Sequence, residues 1–396
     1  MHRQKQIFLF LISYFAYSAI YIARLNLTIA SPVLQAEGIM TVAQIGLMGG
    51  VFFLAYSVGQ LFNGFLGDIF HPKYMIMSGL FLVTIANLRI GMLPSASAVI
   101  FWWCINGFAQ SMLWGPLLRT VSGRFSEERR SLVATIFSSS VGAGSILGIL
   151  LASLAVGRWH VKYAFLLPGI LNAAAFFVIL CFFYVPKQKS KGKRASIGAV
   201  FSQPKLWLLL LPAFFHGVLK DNLNLWMAAY FIDAFSIDIE KMSFYIFLIP
   251  VLSLGGRMVY PFLYGWCHEK EHLVSIAAFA MSAVVLVPLC LSGTTAVTAA
   301  VCLSVVAAAV SVINTSFLTI YPMRYQQSGN VSTVAGVMDF ATYLGAGISS
   351  ALYGILLESM AYSGMFLSWI VLSVLSVVIL GSVYKRSDGL ADGAKD

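Results

Sequence analysis

Two basic residues lie deep within apolar segments, where a positive charge is unfavourable unless it has a partner. Arg24 is the one formal charge between Ile7 and Leu34, and in a helix that begins at Ile7 it would lie about 25 Å from that end. A hydrocarbon core is about 30 Å thick, and holding an Arg side chain there costs about 2.5–3.5 kcal/mol. Lys220 lies at a comparable depth in the segment that begins near residue 204. We therefore predict that both cations face a water-filled path and bind an anion, with snorkelling or a lock to a neighbouring helix as the alternative for Arg24.

The other ionisable residues of the apolar segments are candidate partners for these cations. Asp339 is predicted to approach Lys220 or the cavity, because Asp221 lies about 100° away from Lys220 on the helix and faces a different neighbour. Simple packing is the alternative for Asp339. Arg257 either lines the path or pairs with Asp221. His216 lies one turn before Lys220, and such a His is more often a hydrogen-bonded core residue than a proton relay.

Aromatic side chains could complete the site with hydroxyl groups and ring faces. Tyr17, Tyr21 and Arg24 follow one another at spacings of four and three residues, which places them on one helical face. Aromatic residues make up 14% of the chain, so each further aromatic candidate is a weak signal alone. These candidates are Tyr56, Trp114, Trp226 and Tyr343.

The elements that must position these residues are membrane helices. The chain of 396 residues is 59% hydrophobic and 10% charged, whereas charged residues make up about 25% of a soluble domain. Apolar stretches of about 20 residues recur along the whole length, which predicts an all-α membrane protein. We predict twelve transmembrane helices, at about 7–34, 44–66, 74–93, 97–120, 131–156, 163–185, 204–232, 243–265, 272–292, 295–321, 331–356 and 361–384.

The distribution of Lys and Arg predicts the orientation of these helices. With the N-terminus inside, the connections on the cytoplasmic side contain eighteen Lys and Arg residues and the external connections contain three. Positive residues favour the cytoplasmic side, so both termini are predicted to be cytoplasmic in a multi-pass protein of the cell (inner) membrane. The net charge of +10 is therefore an orientation signal, and we expect no nucleic-acid partner.

One long hydrophilic connection, at 186–203, divides the chain. We predict an N-terminal six-helix bundle at 1–185, a cytoplasmic linker, and a C-terminal six-helix bundle at 204–396. Each half carries its first deep cation at a similar position, as expected for two repeats related by a pseudo-two-fold axis. Two parallel repeats with a substrate between them near the membrane midplane form the major facilitator fold, the architecture of the major facilitator superfamily.

The short turn after the second helix of each half carries an acid and a base. Asp68 and Lys73 lie in the first of these turns, and Glu269 and Lys270 lie in the second. We predict that the Asp68 turn caps and latches the cytoplasmic side in one conformational state, with a purely topological turn as the alternative.

Several segments resemble the organophosphate:inorganic phosphate antiporter family, which includes glycerol-3-phosphate and hexose-phosphate transporters. The first helix resembles the family's Y…YxxRxNxxxAxP pattern, from Tyr17 to Pro32. The fourth helix is similar to GxxQGxGWPPxxR, with Gln110 and Trp114 at the matching positions. The eleventh helix, which contains Tyr343, is similar to AGxxxxxxYLGG. The resemblance covers most of the chain.

This resemblance implies that Arg24 and Lys220 grip the substrate phosphate, with Lys220 in the place of the family's second Arg. The family's Lys in the second helix is Gln60 here, and Ser139 lies where the family has a His in the fifth helix. A Gln at the position of Gln60 also fits the anion:cation symporter family. However, that family usually has a Glu in the fourth helix, where this chain has Gln110. The chain therefore has features of both families.

These observations favour a secondary transporter of a small organic anion. The leading hypothesis is exchange of a phosphorylated sugar or glycerol-phosphate-type metabolite for phosphate by alternating access; the alternative is a proton-coupled symporter of a carboxylate such as a sugar acid. If Asp339 neutralises Lys220 in the empty site, an arriving anion would displace Asp339, which would either swing away or take a proton. We expect a monomer in the lipid bilayer.

An enzyme is not indicated by the sequence. It contains no Gly-rich phosphate loop, Ser/His/Asp set or metal-ligand spacing, so we expect neither a cofactor nor a metal. The five cysteines form no CxxC pair, and neither a disulfide framework nor a zinc site is predicted.

Overall fold

The fold is described from a computed structural model that covers residues 2–92, 95–125, 127–185, 197–357 and 360–392. All regular structure in these ranges is helical. A 3-10 turn (Val287–Cys290) follows α11, and a π-helical turn (Ser316–Ile320) joins α12 to α13. The α-helices are α1 (His2–Ala36), α2 (Val42–Ile69), α3 (Pro72–Ile90), α4 (Ala96–Gln110), α5 (Trp114–Ser122), α6 (Glu127–Arg158), α7 (Tyr163–Phe182), α8 (Ile197–Phe201), α9 (Pro204–Phe235), α10 (Ile239–Trp266), α11 (Glu271–Leu286), α12 (Ala296–Thr315), α13 (Tyr321–Met323), α14 (Val331–Leu356) and α15 (Tyr362–Asp392).

The described ranges contain eleven helical segments that are long and apolar enough to cross a membrane. Two of them are composite, since α4 continues into α5 and α12 continues into α13. Helix α9 is continuous over 32 residues, but the charges of Lys220 and Asp221 interrupt its apolar sequence. Together, these eleven segments and α9 correspond to the twelve predicted spans. The prediction of an all-α membrane protein is confirmed.

The bundle has two ends, which are named from the connection between the halves. We call the end where α7 stops at Phe182 and α9 starts at Pro204 the linker side. The segments 1–185 and 204–396 are called the first and second halves, and these boundaries stay a prediction. The connection at 186–196, with its predicted lysine cluster, lies outside the described residues.

Helices α2 and α14 pack against each other in antiparallel fashion, one from each half. Gly46 meets Gly354 at one end of this contact, and Gly64 meets Gly336 eighteen residues further along α2. A Cβ atom on Gly64 would lie 2.7 Å from the Cα atom of Gly336. Glycine is therefore required for the two backbones to approach this closely, over roughly 27 Å of helix.

Asp68 joins the two halves on the linker side. Its carboxylate accepts hydrogen bonds from the backbone N–H groups of Ser332, at 3.2 Å, and Thr333, at 2.7 Å, and from the Thr333 hydroxyl at 2.9 Å. These N–H groups lie in the first turn of α14, where a helix has no internal acceptor for them and its dipole favours a negative charge. Asp68 at the end of α2 therefore caps a helix of the other half.

The other residues of the two turns contact their own halves. Lys73 donates to the Leu180 carbonyl of α7 at 2.8 Å. In the second half, the carboxylate that forms an ion pair with Arg324 belongs to Glu271. Glu269, the predicted acid, contributes its backbone carbonyl to Arg324. Glu269 itself adopts a left-handed backbone conformation, with φ of 58°, in the turn before α11.

A second contact between the halves on the linker side follows from a proline. Pro322 has no N–H group, so the carbonyl of Leu318, four residues earlier, lacks its α-helical donor. The Trp114 indole Nε1 of α5 donates to this Leu318 carbonyl at 3.1 Å. The π-helical turn and the proline thus provide an acceptor for a side chain of the first half.

We expect Gly336→Ala to destabilise the α2–α14 contact, because the new Cβ atom would lie 2.4 Å from the Gln60 carbonyl oxygen. Overpacking of this kind costs about 1–3 kcal/mol. Gly255→Ala is the matched control, since nothing lies within 4 Å of a Cβ atom there. Thermal unfolding in detergent should show a lower midpoint for Gly336→Ala alone. Equal midpoints for the two variants would contradict the close packing.

Candidate substrate site

Arg24 lies at the centre of the bundle and is 7% exposed. Its Nε donates to Gln110 Oε1 at 3.0 Å, and its Nη1 donates to the hydroxyls of Tyr343, at 2.8 Å, and Tyr21, at 3.3 Å. Its Nη2 is buried and has no hydrogen-bond partner. All partners of the guanidinium in the described residues are neutral, so its charge is not balanced by a carboxylate in contact with it.

Aromatic rings surround the Arg24 guanidinium. Its central carbon lies 4.5 Å from the ring centre of Tyr56, 4.8 Å from Tyr21, 5.0 Å from Phe52 and 5.2 Å from Tyr343. Ring faces attract a cation by about 0.5–2 kcal/mol each, and most strongly when water is excluded. These rings stabilise the buried charge without neutralising it.

Lys220 reaches the same hydroxyl from the second half. Its Nζ donates to the Tyr343 hydroxyl at 2.8 Å and lies 4.0 Å from the centre of that ring. Tyr343 on α14 therefore accepts hydrogen bonds from a cation of α1 and a cation of α9. The Tyr21 hydroxyl lies 3.5 Å from the Tyr343 hydroxyl, and either can donate to the other.

The prediction that Asp221 faces a neighbour other than Lys220 is wrong. Lys220 Nζ forms an ion pair with Asp221 Oδ2 at 3.2 Å, although the two residues are adjacent on α9. The four-carbon Lys side chain is flexible enough to bend back toward its neighbour, so the 100° offset between the two Cα–Cβ directions does not separate the charged groups. Asp339 is 2% exposed and, among the described residues, makes no ion pair within 4 Å.

Arg257 of α10 is also buried, with 3% exposure. Its Nε donates to the Ser138 carbonyl of α6 at 3.4 Å, and its Nη1 has no hydrogen-bond partner. Of the two alternatives, the structure shows Arg257 lining the central cavity, and no ion pair with Asp221 is present in the described residues.

These cations surround one cavity of about 70 Å³ between the halves, which is room for several waters. Its charged lining residues are Arg24, Lys220, Asp221 and Arg257. The Asp68 cap and the Trp114–Leu318 hydrogen bond lie on its linker side. On the opposite side, the Thr28 hydroxyl donates to the Asn224 carbonyl at 2.9 Å, and Gly46 meets Gly354. Contacts between the halves thus border the cavity toward both ends of the bundle.

The sequence of residues 8–349 matches the family model of the Major Facilitator Superfamily. The chain belongs to the Major Facilitator Superfamily. This superfamily consists of multi-pass membrane transporters rather than enzymes, in agreement with the function class predicted from the sequence.

Relatives of this superfamily member include organophosphate transporters. A probable hexose phosphate transport protein of Chlamydia pneumoniae is 24% identical over 302 residues, which cover 68% of this chain and 66% of that relative. A phosphoglycerate transporter protein of Salmonella typhimurium is 23% identical over 393 residues, which cover 89% of this chain and 83% of that relative. The resemblance to the organophosphate:inorganic phosphate antiporter family is confirmed. The match with the Chlamydia protein spans just under two thirds of its length.

The predicted fold is confirmed by a solved structure. The human organic anion transporter MFSD10 (TETRAN) superposes with a TM-score of 0.72, covering 96% of this chain and 99% of that chain. The two sequences are 16% identical, so this likeness shows the fold alone.

Some predicted residues lie next to the residues that line the cavity, without lining it themselves. The Tyr17 ring lies 4.9 Å from the Trp114 ring and 5.4 Å from the Tyr21 ring. Ser139 Oγ lies 3.0 Å from the Tyr14 hydroxyl and donates to the Ile136 carbonyl. These residues support the site from α1, α5 and α6 but are not among the residues that line the cavity, apart from Tyr21.

Three other predicted residues lie away from the cavity. Trp226 lines a separate cavity of about 80 Å³ together with Asp233 and Tyr362, because its place on α9 turns the indole toward the end opposite the linker. Gln60 is fully buried beside the α2–α14 contact, and neither amide atom has a partner. His216 Nε2 lies 3.4 Å from Asn314 Oδ1 in the core. Of this pair, only Asn314 lines the cavity.

A network of amides that was not predicted from the sequence lies behind Arg24. Gln110 Nε2 donates to Asn106 Oδ1 at 3.2 Å, and Asn106 Nδ2 donates to the Ala23 carbonyl at 3.0 Å. Asn87 Nδ2 donates to the same Asn106 oxygen at 3.3 Å, and Asn26 Nδ2 donates to Asn87 Oδ1 at 3.3 Å. Amides within three apolar helical segments were the available signal, since each requires a buried partner. The network fixes the Gln110 oxygen that holds Arg24.

We expect Tyr343→Phe to lower the free energy of unfolding, because two buried cationic donors lose their shared acceptor at 2.8 Å. Leaving such groups unsatisfied costs about 1–3 kcal/mol each. Tyr184→Phe is the control, because Tyr184 is exposed. The measurement is the thermal unfolding midpoint of each purified variant. If both variants unfold with the wild type, the hydroxyl does not hold the two cations.

Proposed function

We propose that the chain is a secondary transporter of a small phosphorylated anion. One observation carries this proposal: Arg24 and Lys220, from the two halves, donate to one hydroxyl beside a central cavity, while Arg24 Nη2 has no partner. A phosphate monoester carries about −1.5 to −2 charge and three acceptor oxygens. It would balance the guanidinium and supply the missing acceptor.

The relatives support an organophosphate as the substrate. The Chlamydia protein is named for hexose phosphate and the Salmonella protein for phosphoglycerate. Both classes combine a phosphate with a short polar carbon skeleton. Within the cavity of this chain, Asn224, Asn314 and Ser145 line the walls near the cations and would hydrogen-bond such a skeleton.

The site geometry favours exchange with phosphate. In the empty site Asp221 offsets the charge of Lys220, whereas the charge of Arg24 has no carboxylate in contact. Enclosing an unbalanced guanidinium within a low-dielectric bundle is costly, and a bound anion removes much of that cost. Reorientation is therefore faster with either the organophosphate or inorganic phosphate bound, which is the requirement for an antiporter. An arriving anion competes with Asp221, rather than with Asp339, for Lys220.

Alternating access would open the contacts that border the cavity, one end at a time. Opening the linker side requires two contacts to break. The first turn of α14 must separate from Asp68, and the Leu318 carbonyl must separate from the Trp114 indole. Opening the opposite side requires Thr28 to leave the Asn224 carbonyl. We further propose that both termini are cytoplasmic in a cell membrane, supported by the excess of Lys and Arg in the connections on the linker side, and that the protein works as a monomer.

The second candidate function is proton-coupled symport of a carboxylate, and Asp339 favours it. This buried acid lies one helical turn before Tyr343 on α14 and makes no ion pair in the described residues. Under this alternative, a pH gradient would drive uptake by the wild type and would not drive uptake by Asp339→Asn, which would still exchange substrate. Under the exchange proposal, the gradient has no effect on either protein.

We expect trans-loaded inorganic phosphate to accelerate uptake of a labelled organophosphate into proteoliposomes, because a loaded site reorients faster than an empty one. Glycerol 3-phosphate and glucose 6-phosphate are the test substrates. Liposomes loaded with chloride at the same ionic strength are the control. Uptake that is indifferent to the trans anion but driven by a pH gradient would reject the exchange proposal.

The same assay tests the two cations. Arg24→Ala should abolish exchange, because the phosphate loses its bidentate partner, and Lys220→Arg should retain more activity than Lys220→Ala, because it keeps a positive charge at the site. Arg89→Ala is the control, since Arg89 is exposed on α3 and contacts the Trp102 ring. Full exchange by folded Arg24→Ala, or equal loss in the two Lys220 variants, would count against the site.

A further inference from the structure

A second guanidinium in the central cavity has the same unusual feature as Arg24. Arg257 lines the cavity and is 97% buried, and its Nη1 lacks any hydrogen-bond partner. Nearly all buried polar groups in proteins have a partner, and a guanidinium prefers the two parallel acceptors of a carboxylate or phosphate. Arg24 and Arg257 both line this cavity, and each has one nitrogen without a partner, Nη2 and Nη1 respectively, which indicates two places where a bound anion is expected.

Arg257 is held on a different wall from the Arg24–Lys220 pair. Its Nε donates to the Ser138 carbonyl, where α10 of the second half packs against α6 of the first half and Gly142 approaches Leu254. The Arg24–Lys220 pair instead converges on Tyr343 of α14. No hydrogen bond or ring contact links Arg257 to Tyr343 in the described residues.

The charges of the lining residues leave both guanidinium groups unbalanced. Three cations and one carboxylate, Asp221, line the cavity. Asp221 lies 3.2 Å from Lys220 and offsets that charge. Arg24 and Arg257 therefore each lack an anionic partner, one at the Tyr343 end of the cavity and one at the α6–α10 wall.

We propose that Arg257 binds a second anionic group of the substrate, so that the transported class is a short phosphate ester that also carries a carboxylate. This inference rests on the proposed function, because the phosphate is assigned to Arg24 and Lys220. The carboxylate fits the fork of a guanidinium, and Ser253 and Asn314 line the cavity to receive polar atoms between the two groups. The cavity of about 70 Å³ favours a skeleton of few carbons.

The test compares two substrates that differ at one end. 3-Phosphoglycerate and glycerol 3-phosphate share a three-carbon phosphate, but the first has a carboxylate where the second has a hydroxymethyl group. Uptake into phosphate-loaded proteoliposomes gives kcat/KM for each substrate. The wild type is expected to prefer 3-phosphoglycerate. Arg257→Gln should lower the ratio of the two kcat/KM values about ten- to hundred-fold, the effect of losing a charge-assisted pair, and Arg257→Lys should restore part of it.

Two control variants separate this inference from the proposed function. Arg24→Gln should lower uptake of both substrates, and Arg89→Gln should lower neither. An unchanged ratio in folded Arg257→Gln, or equal loss of both substrates, would overturn the role of Arg257 and leave phosphate ester transport standing. Wild-type protein that takes up neither phosphate ester would overturn the proposed function, and this inference with it.

Discussion

The structure depends on holding two positive charges on one neutral oxygen beside the central cavity. Arg24 and Lys220 each donate to the Tyr343 hydroxyl at 2.8 Å, so the two cationic nitrogens lie within about 6 Å of each other. At an effective dielectric constant of about 20, their repulsion is about 3 kcal/mol. The attraction of Lys220 to Asp221 over 3.2 Å is about 5 kcal/mol on the same scale. Asp221 therefore more than offsets the repulsion, and it can do so without contacting Arg24.

Helix α14 connects this oxygen to the boundary of the cavity. Tyr343 lies ten residues, or about 15 Å, from Thr333, whose N–H and hydroxyl groups bind Asp68 of α2. The glycines along α2 and α14 allow the two backbones to come into direct contact, so no side chains separate the helices at these positions. A displacement of α14 away from α2 would release the Asp68 cap and move the acceptor of both cations together. One rigid element thus links the site to the contact that closes its linker side.

The sequence was sufficient to predict what depends on depth and on helical spacing. Arg24, Tyr21 and Lys220 were placed in the core because apolar segments have a fixed rise per residue, and Tyr343 was placed by the resemblance of its segment. The ion pair between Lys220 and Asp221 was not predicted, because the reach of the Lys side chain, rather than the angle between the two residues around the helix, decides which groups meet. Trp226 lies away from the cavity because it is six residues beyond Lys220, about 9 Å further along α9 toward the end opposite the linker. Phe52 and the amide network have no local sequence signal beyond being aromatic or polar within a span.

The unpartnered donors of Arg24 and Arg257 explain why an empty site would be the less favourable state. A buried polar group without a partner costs about 1–3 kcal/mol, and more when it is charged. Arg24 and Arg257 line one cavity, so a single ligand with suitably placed acceptors would relieve both costs at once. The same groups that make the empty protein less stable therefore become the source of affinity. Under the proposed exchange, enclosing the two unbalanced guanidinium groups without a ligand would be the costly step, and a bound anion would lower that barrier.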